Sequence, residues 1–461
     1  MALVLQLKQG VERQRDGADL LLLDRGFRSL RCSRESESLQ DLLEWLGAGG
    51  GVLGELMQQG SLDQFIQILQ LEQRGWISLS VCANQMPVLI LEPSCSQLRR
   101  EHSPADPFRM MWSKHLQITP TRHGLQLEVP LRGSRLLLQD RRLTSQIWDL
   151  AAPLPSQDWT ACLPNDLLQH SDDLLELLFT AGVVGVVDDD GQLSCDRDAD
   201  SQRWSREDLA LHHRSRQGWH QELIGATFPG ATVEPALPLQ ADLPLVDRID
   251  LPRPDVDEPD PGFFNVLERR ASIRQPGQEP ITIEQLGRLL WASLRIHKSR
   301  QAYAQTPKAY EMGSRPVACG GALQEIDAFL TIRRCKGVEP GLYRYDSLAH
   351  QLLRLDRLNT VCEKLLQLAC RSSGSSEPPD MLVHLAARYG RVSWKYEGIP
   401  YALILKHAGV IMQQLYLVAT ALDLAPCGLG AGDSELFARA TKMNPYSVPA
   451  VAEFMLSGRD S

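Results

Sequence analysis

Eight of the chain's 28 prolines fall between Pro229 and Pro261. Proline lacks a backbone N–H and fixes φ, so such a run suits neither a helix interior nor a central strand. Asp255, Asp257, Glu258 and Asp260 lie among these prolines, and the stretch reads as an extended linker. Leu243, Leu245, Val246, Ile249 and Leu251 give it apolar side chains that can strap it to a surface. It divides the 461 residues into two halves, each of which must build its own core. At about 150 residues per domain the chain has room for about three domains. A composition of 43% hydrophobic and 23% charged residues is that of a globular chain and excludes a mostly disordered, collagenous or coiled-coil one.

The formal charge is −9, from 48 basic and 57 acidic residues. Nucleic-acid binders concentrate positive charge, and the basic pairs here (Arg99-Arg100, Arg141-Arg142, Arg269-Arg270, Arg333-Arg334) are scattered. No nucleic-acid partner is expected. Ten dispersed cysteines include no C-x-x-C and no Cys/His run with zinc spacing, which reads as thiols in a reducing compartment and no metal site. The N-terminus lacks the apolar core of a signal peptide. The most apolar stretch, Tyr401 to Ala425, carries Lys406, His407, Gln413 and Gln414, so it reads as a buried helix rather than a membrane span. A cytoplasmic protein without membrane attachment is expected.

The N-terminal half shows a loose internal repeat. Leu20-Leu21-Leu22-Leu23-Asp24 is echoed by Leu136-Leu137-Leu138-Gln139-Asp140, each reading as a strand. Leu62, Phe65, Ile66 and Leu69 recur at helical spacing before Arg74-Gly75-Trp76-Ile77. In the second copy Leu174, Leu175, Leu178 and Phe179 do so before Gly182 to Val187, and Asp188-Asp189-Asp190-Gly191 then signals a hairpin. Strand, helices and a two-stranded wing make a winged-helix-like layout. The expected organisation is two such α+β modules, 1–95 and 96–228, then the linker 229–261 and an α+β domain over 262–461.

In that last domain the pattern predicts a helix over Ile283 to Leu294. Ile326 to Arg334 reads as a strand paired with Leu342 to Tyr345. Further strands are predicted at Met381 to Ala387 and Val448 to Leu456, with a long helix over Ala408 to Leu422. Arg371 to Pro379 reads as a surface loop.

Four segments could carry chemistry. Glu268-Arg269-Arg270-Ala271-Ser272-Ile273-Arg274 gathers three guanidinium groups and a hydroxyl, a donor set suited to phosphate, though a charged helix end looks the same. Arg315-Pro316-Val317-Ala318-Cys319-Gly320-Gly321-Ala322-Leu323 places adjacent glycines where backbone can approach a ligand, or simply turn. Arg391-Val392-Ser393-Trp394-Lys395-Tyr396-Glu397-Gly398 sets a lysine beside a tyrosine, and an ammonium near a phenol favours phenolate. Neighbouring strand residues point oppositely, so the two can act together only if the segment is irregular or helical. Cys427-Gly428-Leu429-Gly430-Ala431-Gly432-Asp433 superficially resembles a dinucleotide fingerprint. It is expected to follow a helix rather than to join a strand to one, which weakens that reading.

In this order the four segments resemble the SagB-type dehydrogenases of the nitroreductase-like flavin fold. The resemblance covers about residues 262–461. It includes the hairpin Pro340-Gly341-Leu342-Tyr343-Arg344-Tyr345 and the helix from His407 to Leu422. The family's Pro-Ser in the glycine loop is Ala318-Cys319 here, and Ala271 is an extra residue before Ser272. The N-terminal extension is similar to that of the thiazoline oxidases of cyanobactin biosynthesis, part of ribosomal peptide modification.

The resemblance implies FMN as cofactor and an azoline ring in a peptide as substrate, oxidised to thiazole or oxazole with O₂ as final acceptor. It assigns Arg269, Arg270, Ser272 and Arg274 to the FMN phosphate, with Arg459 closing that site. Cys319, Gly320 and Gly321 would line the isoalloxazine, and Leu429 and Gly430 its other edge. Lys395 and Tyr396 become the catalytic pair, Tyr396 as base and Lys395 tuning it or binding substrate. Arg295 to Arg315, with Tyr310 and Arg315, reads as a lid over the peptide or a plain surface loop. A homodimer is implied. The other readings are an NAD(P)H-dependent reductase of nitro compounds or quinones, and a winged-helix regulator with a flavin-sensing domain.

Overall fold

Leu3 and Leu5 are fully buried and alternate with half-exposed neighbours, which marks the first strand of the N-terminal half. A computed structural model describes residues 3–16, 19–24, 28–32, 37–53, 61–94, 103–105, 107–130, 132–194, 202–218, 220, 222–255 and 261–460. The chain forms two units, residues 1–222 and 223–461.

In the first unit one order of elements occurs twice. The first copy runs β1 (Leu3–Leu7), β2 (Val11–Asp16), β3 (Asp19–Asp24), β4 (Arg28–Cys32), α1 (Glu37–Gly47), β5 (Gly51–Val52), α2 (Leu62–Gln73), β6 (Ile77–Ala83) and β7 (Met86–Pro93). The second runs β8 (Arg109–Trp112), β9 (Gln117–Thr121), β10 (Gly124–Glu128), β11 (Ser134–Leu138), α3 (Thr144–Asp149), β12 (Leu154–Pro155), α4 (Ser156–Ala161), α5 (Ser171–Thr180) and β13 (Val184–Val186). Each opening strand lies centrally, as β5-β1-β6 and β12-β8-β13. Each is followed by an antiparallel meander, β2–β3–β4 and β9–β10–β11. The repeat is therefore present, but the leucine runs that suggested it are not equivalent. Leu20–Asp24 lies in the middle strand of its meander and Leu136–Leu138 in the last of the other.

The boundary expected at residue 95 does not separate two sheets. β7 pairs with β11, placing Leu91 opposite Leu136 and Leu89 opposite Leu138, all buried. This joins β5-β1-β6-β7-β11-β10-β9 into one seven-stranded sheet. The outer edge of the β6–β7 hairpin needs a partner, and the second meander supplies it. Helix α2 forms where its spacing predicts, started by a capping box between Ser61 and Gln64. Its buried stripe is Ile68 and Leu71, however, while Leu62 and Ile66 stay exposed. The buried leucines of α5 and the Asp188–Gly191 turn agree with expectation. α6 (Arg206–Arg214) is the last helix of the unit.

The second unit contains β14 (Asp247–Asp250), α7 (Phe263–Arg269), α8 (Ile283–Leu294), β15 (Lys298–Ala302), β16 (Tyr310–Ser314), β17 (Ile326–Ile332), β18 (Gly341–Asp346), β19 (Gln351–Arg357), α9 (Thr360–Ser373), β20 (Met381–Ala387), α10 (Tyr389–Ser393), α11 (Pro400–Ala421), β21 (Ala425–Leu429), α12 (Ser434–Thr441) and β22 (Ala450–Ser457). The sheet order is β14-β19-β18-β17-β20-β22-β21. α8 and α11 pack on one face, where Leu286, Leu290, Ile411 and Leu415 meet Leu330, Val383 and Phe454. α9 and α12 pack on the other, where Leu365, Leu366 and Leu436 meet Leu382 and Met455.

The proline-rich stretch is a strap rather than a free linker. Its carbonyls accept from buried cations: Pro238 and Leu239 from Arg388, Leu237 from Arg391, Ala241 from Arg344. Its Asp247–Asp250 adds an edge strand beside β19. Proline carbonyls remain good acceptors although proline donates nothing, and arginine forks exploit that. Asp257, Glu258 and Asp260 lie outside the described residues.

α11 starts at Pro400, eight residues before its expected start at Ala408. It is half-buried rather than buried: Ile404, Ile411 and Leu415 face the core, while Tyr401, Leu405 and Val410 are exposed. By length and composition this one helix, among the described residues, is apolar enough to cross a membrane.

Candidate active site

Cys319, Gly320 and Gly321 form a tight turn between β16 and β17, with Gly321 at φ +64°. His407 on α11 fixes this turn: the Gly320 N–H donates to its Nε2 at 2.8 Å. Accepting there makes Nδ1 the protonated nitrogen, and Nδ1–H donates to Glu325 Oε1 at 2.6 Å. The Cys319 thiol donates to Glu325 Oε2 at 3.1 Å. Burial pushes Glu325 up, but the hydrogen bonds from His407 and Cys319 oppose it, and the carboxyl lies below its usual range. Cys319, Glu325 and His407 thus bring three possible metal-ligand atoms within 4.8 Å of one another, although no zinc spacing exists in the sequence. Their protons are spent on one another, and a metal on Nδ1 would put a second proton donor against Gly320 N–H. Burial and then Glu325 push the Cys319 thiol up to about 12. We expect Cys319 to resist iodoacetamide at pH 8 while exposed Cys162 reacts, as peptide mass mapping will show.

Lys395 and Tyr396 follow α10 in a helical turn, with both backbone N–H groups donating to Val392 O. Both therefore reach one place. A β-carbon on Gly321 would collide with Lys395 Nζ and lie 2.8 Å from Tyr396 Oη. Lys395 Nζ donates to Tyr310 Oη at 2.6 Å, and Tyr310 Oη donates to Gly321 O at 3.0 Å. Phe228 and Trp394 close the aromatic wall around this ammonium. Gly321→Val is expected to displace both side chains and abolish turnover, and to lower the melting temperature as well, because a β-branched residue is strained at φ +64°. Lys395 was expected to lower the phenol of Tyr396. It does pull in that direction, but burial is the larger effect, and the phenol lies above its ordinary value.

Arg315 is spent inside the fold, donating to Ile326 O at 2.7 Å and to Ser347 Oγ at 3.1 Å. It does not reach into the Gly321 cluster. Tyr310 does, as the first residue of β16, which pairs with β15 in a hairpin within the segment read as a lid or loop.

The arginine segment gathers elsewhere, around Tyr416 of α11. The guanidinium of Arg270 lies 5.4 Å from that ring, Ser272 Oγ is 2.8 Å from Tyr416 Oη, and Tyr416 Oη accepts from Gly428 N–H at 2.7 Å. Ile273 N–H donates to Pro426 O, so the segment is docked on β21. Arg269 pairs with Asp423, and Arg274 lies close enough to lower the Cys427 thiol against its burial. Arg459 adjoins the tight contact between Gly277 and the C-terminus. Arg269, Arg270, Ser272, Arg274 and Arg459 are exposed. The Gly428–Asp433 segment does join a strand to a helix, contrary to expectation, because β21 intervenes after α11 and Asp433 caps α12. Leu429 ends that strand and Gly430 is exposed just beyond it.

His407, Glu325, Tyr416 and Phe228 were missed as site residues. Only His407 carried a signal, a histidine in an apolar helix.

Residues 267–452 match the model of the nitroreductase family. The second unit carries a nitroreductase-family domain. That family comprises flavin oxidoreductases that bind FMN. A putative nitroreductase of Methanocaldococcus jannaschii is 28% identical over 186 residues, 40% of this chain and 85% of the relative. Among solved structures, a putative nitroreductase from Ralstonia eutropha is 19% identical with a TM-score of 0.36, covering 50% of this chain and all of its own. A chain of the E. coli microcin synthetase complex with truncated pro-MccB17 bound is 18% identical with a TM-score of 0.35, covering 42% of this chain and 70% of its own.

Proposed function

We propose that the nitroreductase-family domain is an FMN-dependent oxidase that converts thiazolines or oxazolines in ribosomally made peptides to thiazoles or oxazoles. The observation that carries this reading is the convergence of Lys395, Tyr396 and Tyr310 on Gly321. That is a proton-handling cluster at a turn which only glycine can make without filling the space.

The residues present fit FMN. Exposed Arg270 and Ser272 flank Tyr416 as donors for a phosphate, with Arg269, Arg274 and Arg459 as further cations. Gly428 leaves room against Met412, where a β-carbon would lie 2.6 Å from Cε, and Leu429 and Gly430 follow as the flavin edge. Cys319 and the Gly320–Gly321 backbone form the second wall. FMN, when bound, would supply the acceptor for the hydride of the ring CH₂. Tyr396 Oη takes the proton from the carbon between ring nitrogen and carbonyl, which both neighbours acidify. Lys395 holds positive charge beside the phenolate that accepts this proton and becomes the phenol, and its bond to Tyr310 keeps it there.

The two clusters support a homodimer. His407 and Tyr416 are nine positions apart on α11, two and a half turns at about 3.6 residues per turn, and so flank opposite sides of one helix. A second copy brings the glycine turn of one chain to the arginine segment of the other. It also covers exposed Leu405 and Val410 of α11 and Phe263 and Phe264 of α7. Light scattering should give a dimer. Leu405→Glu with Val410→Glu should give a monomer that loses FMN; a monomer that keeps it contradicts this arrangement. In the N-terminal unit, the two repeats serve as winged-helix-like modules that receive the peptide by strand addition.

Aerobic incubation with a thiazoline peptide tests the reading: each ring should lose two hydrogens by mass. The second reading, an NAD(P)H-dependent reductase, is favoured by the family match itself. It predicts rapid NADPH consumption and unchanged azolines.

A further inference from the structure

The other face of the C-terminal sheet, away from α11, holds a cavity of about 370 Å³ between the sheet and helices α9 and α12. Leu365, Leu368 and Leu429 give it apolar walls, and exposed Asp433 stands at its mouth. Glu453 and His384 sit directly opposite each other on β22 and β20, at its floor. Glu453 is 6% exposed, and no hydrogen bond or ion pair reaches its carboxyl among the described residues. A buried carboxyl without a partner is costly, and none of the chemistry proposed above uses it. His384 is wholly buried, bonded at Nε2 to Thr331 Oγ1 at 3.2 Å and unpartnered at Nδ1. It cannot neutralise Glu453, because burial holds it down to about 3 and therefore uncharged. The larger cavity of the N-terminal unit, about 550 Å³, differs in having Lys8 paired with Asp24 and Arg135 paired with Glu92 and Glu222.

We propose that this cavity binds an organic cation, an ammonium on an aliphatic stem, with Glu453 as its counter-ion, Asp433 drawing it in and the leucines burying the stem. A carboxylate at the end of an apolar crevice complements that class and disfavours alcohols and acids of the same shape. Burial and then Asp433 raise the Glu453 carboxyl above its ordinary value, so binding weakens as pH falls and Glu453 takes a proton. The site shares only Leu429 with the proposed flavin edge, and its counter-ion Glu453 has no part in the flavin reading, so either can fail without the other.

The test is calorimetric titration of the full chain with n-pentylamine, 1-pentanol and pentanoate, and with Nα-acetyl-lysine methylamide as a polypeptide's lysine. The expected result is one-to-one binding of the amine, tighter than the alcohol by about tenfold or more. It should be lost in Glu453→Gln, and lost in Ser372→Trp, which plugs the exposed rim and leaves the acid in place. The lysine derivative binding as tightly as the amine assigns the site to a protein side chain; the free amine binding alone assigns it to a small metabolite. Equal affinity for amine and alcohol, no amine binding, or undiminished amine binding in Glu453→Gln overturns the proposal.

Discussion

Tyr396→Phe is expected to slow azoline oxidation by about 10²–10⁴-fold, the usual worth of a positioned general base, with FMN still bound. The phenol lies beside Lys395 at Gly321, and the Phe ring keeps its shape while removing the one atom that takes the proton. The pH profile adds a second signature. Burial raises the Tyr396 phenol, Lys395 opposes that, and Tyr310 adds to it, for a net rise above the usual value of about 10. The active base is the deprotonated form, so kcat/KM should climb with pH throughout the stable range without levelling below about 10. In Tyr396→Phe the climb should vanish. A variant that turns over normally, or keeps the same profile, removes Tyr396 from the proton transfer.

Arg391→Ala should produce the largest loss of stability. Arg391 is 1% exposed and donates to the carbonyls of Leu323, Leu237 and Glu311, which belong to the glycine turn, the proline-rich strap and the β16 strand. Burial lowers it to about 10, so it remains charged at neutral pH. Removing it leaves three acceptors unsatisfied in a closed interior and should cost about 3–5 kcal/mol. At roughly 2–4 °C per kcal/mol, the melting temperature should fall by about 10 °C. Lys should rescue little, because its single nitrogen cannot stand at the three places from which Nε, Nη1 and Nη2 reach the three carbonyls. A change within about 1 °C would contradict this account of the strap, since ordinary surface substitutions cost no more than about 0.5 kcal/mol.

These two residues illustrate how much was legible beforehand. Arg391, Lys395 and Tyr396 share one motif, but nothing in its spacing separates the buried tether from the reactive pair. Helix α8 and strand β20 lie where periodicity places them, because each buries an uninterrupted apolar face. Strand β21 was not legible, since Ala425-Pro426-Cys427-Gly428-Leu429 holds two poor strand formers. The Glu325–His407 pair was not legible either. The two residues are 82 positions apart, and their meeting depends on how α11 crosses the sheet. The strap was half legible: its prolines forbid regular structure, but the arginines that hold it lie more than 100 residues downstream. The phenol of Tyr396 was misjudged because sequence adjacency to lysine is visible and burial is not.

The most direct measurement is an anaerobic single turnover. FMN-loaded protein mixed with a thiazoline peptide in the absence of O₂ and NADPH should bleach its flavin once per site. An equal amount of thiazole should appear, and admitting air should restore the yellow colour. Flavin that stays oxidised with the azoline yet bleaches promptly with NADPH would contradict the oxidase reading and leave a reductase in its place.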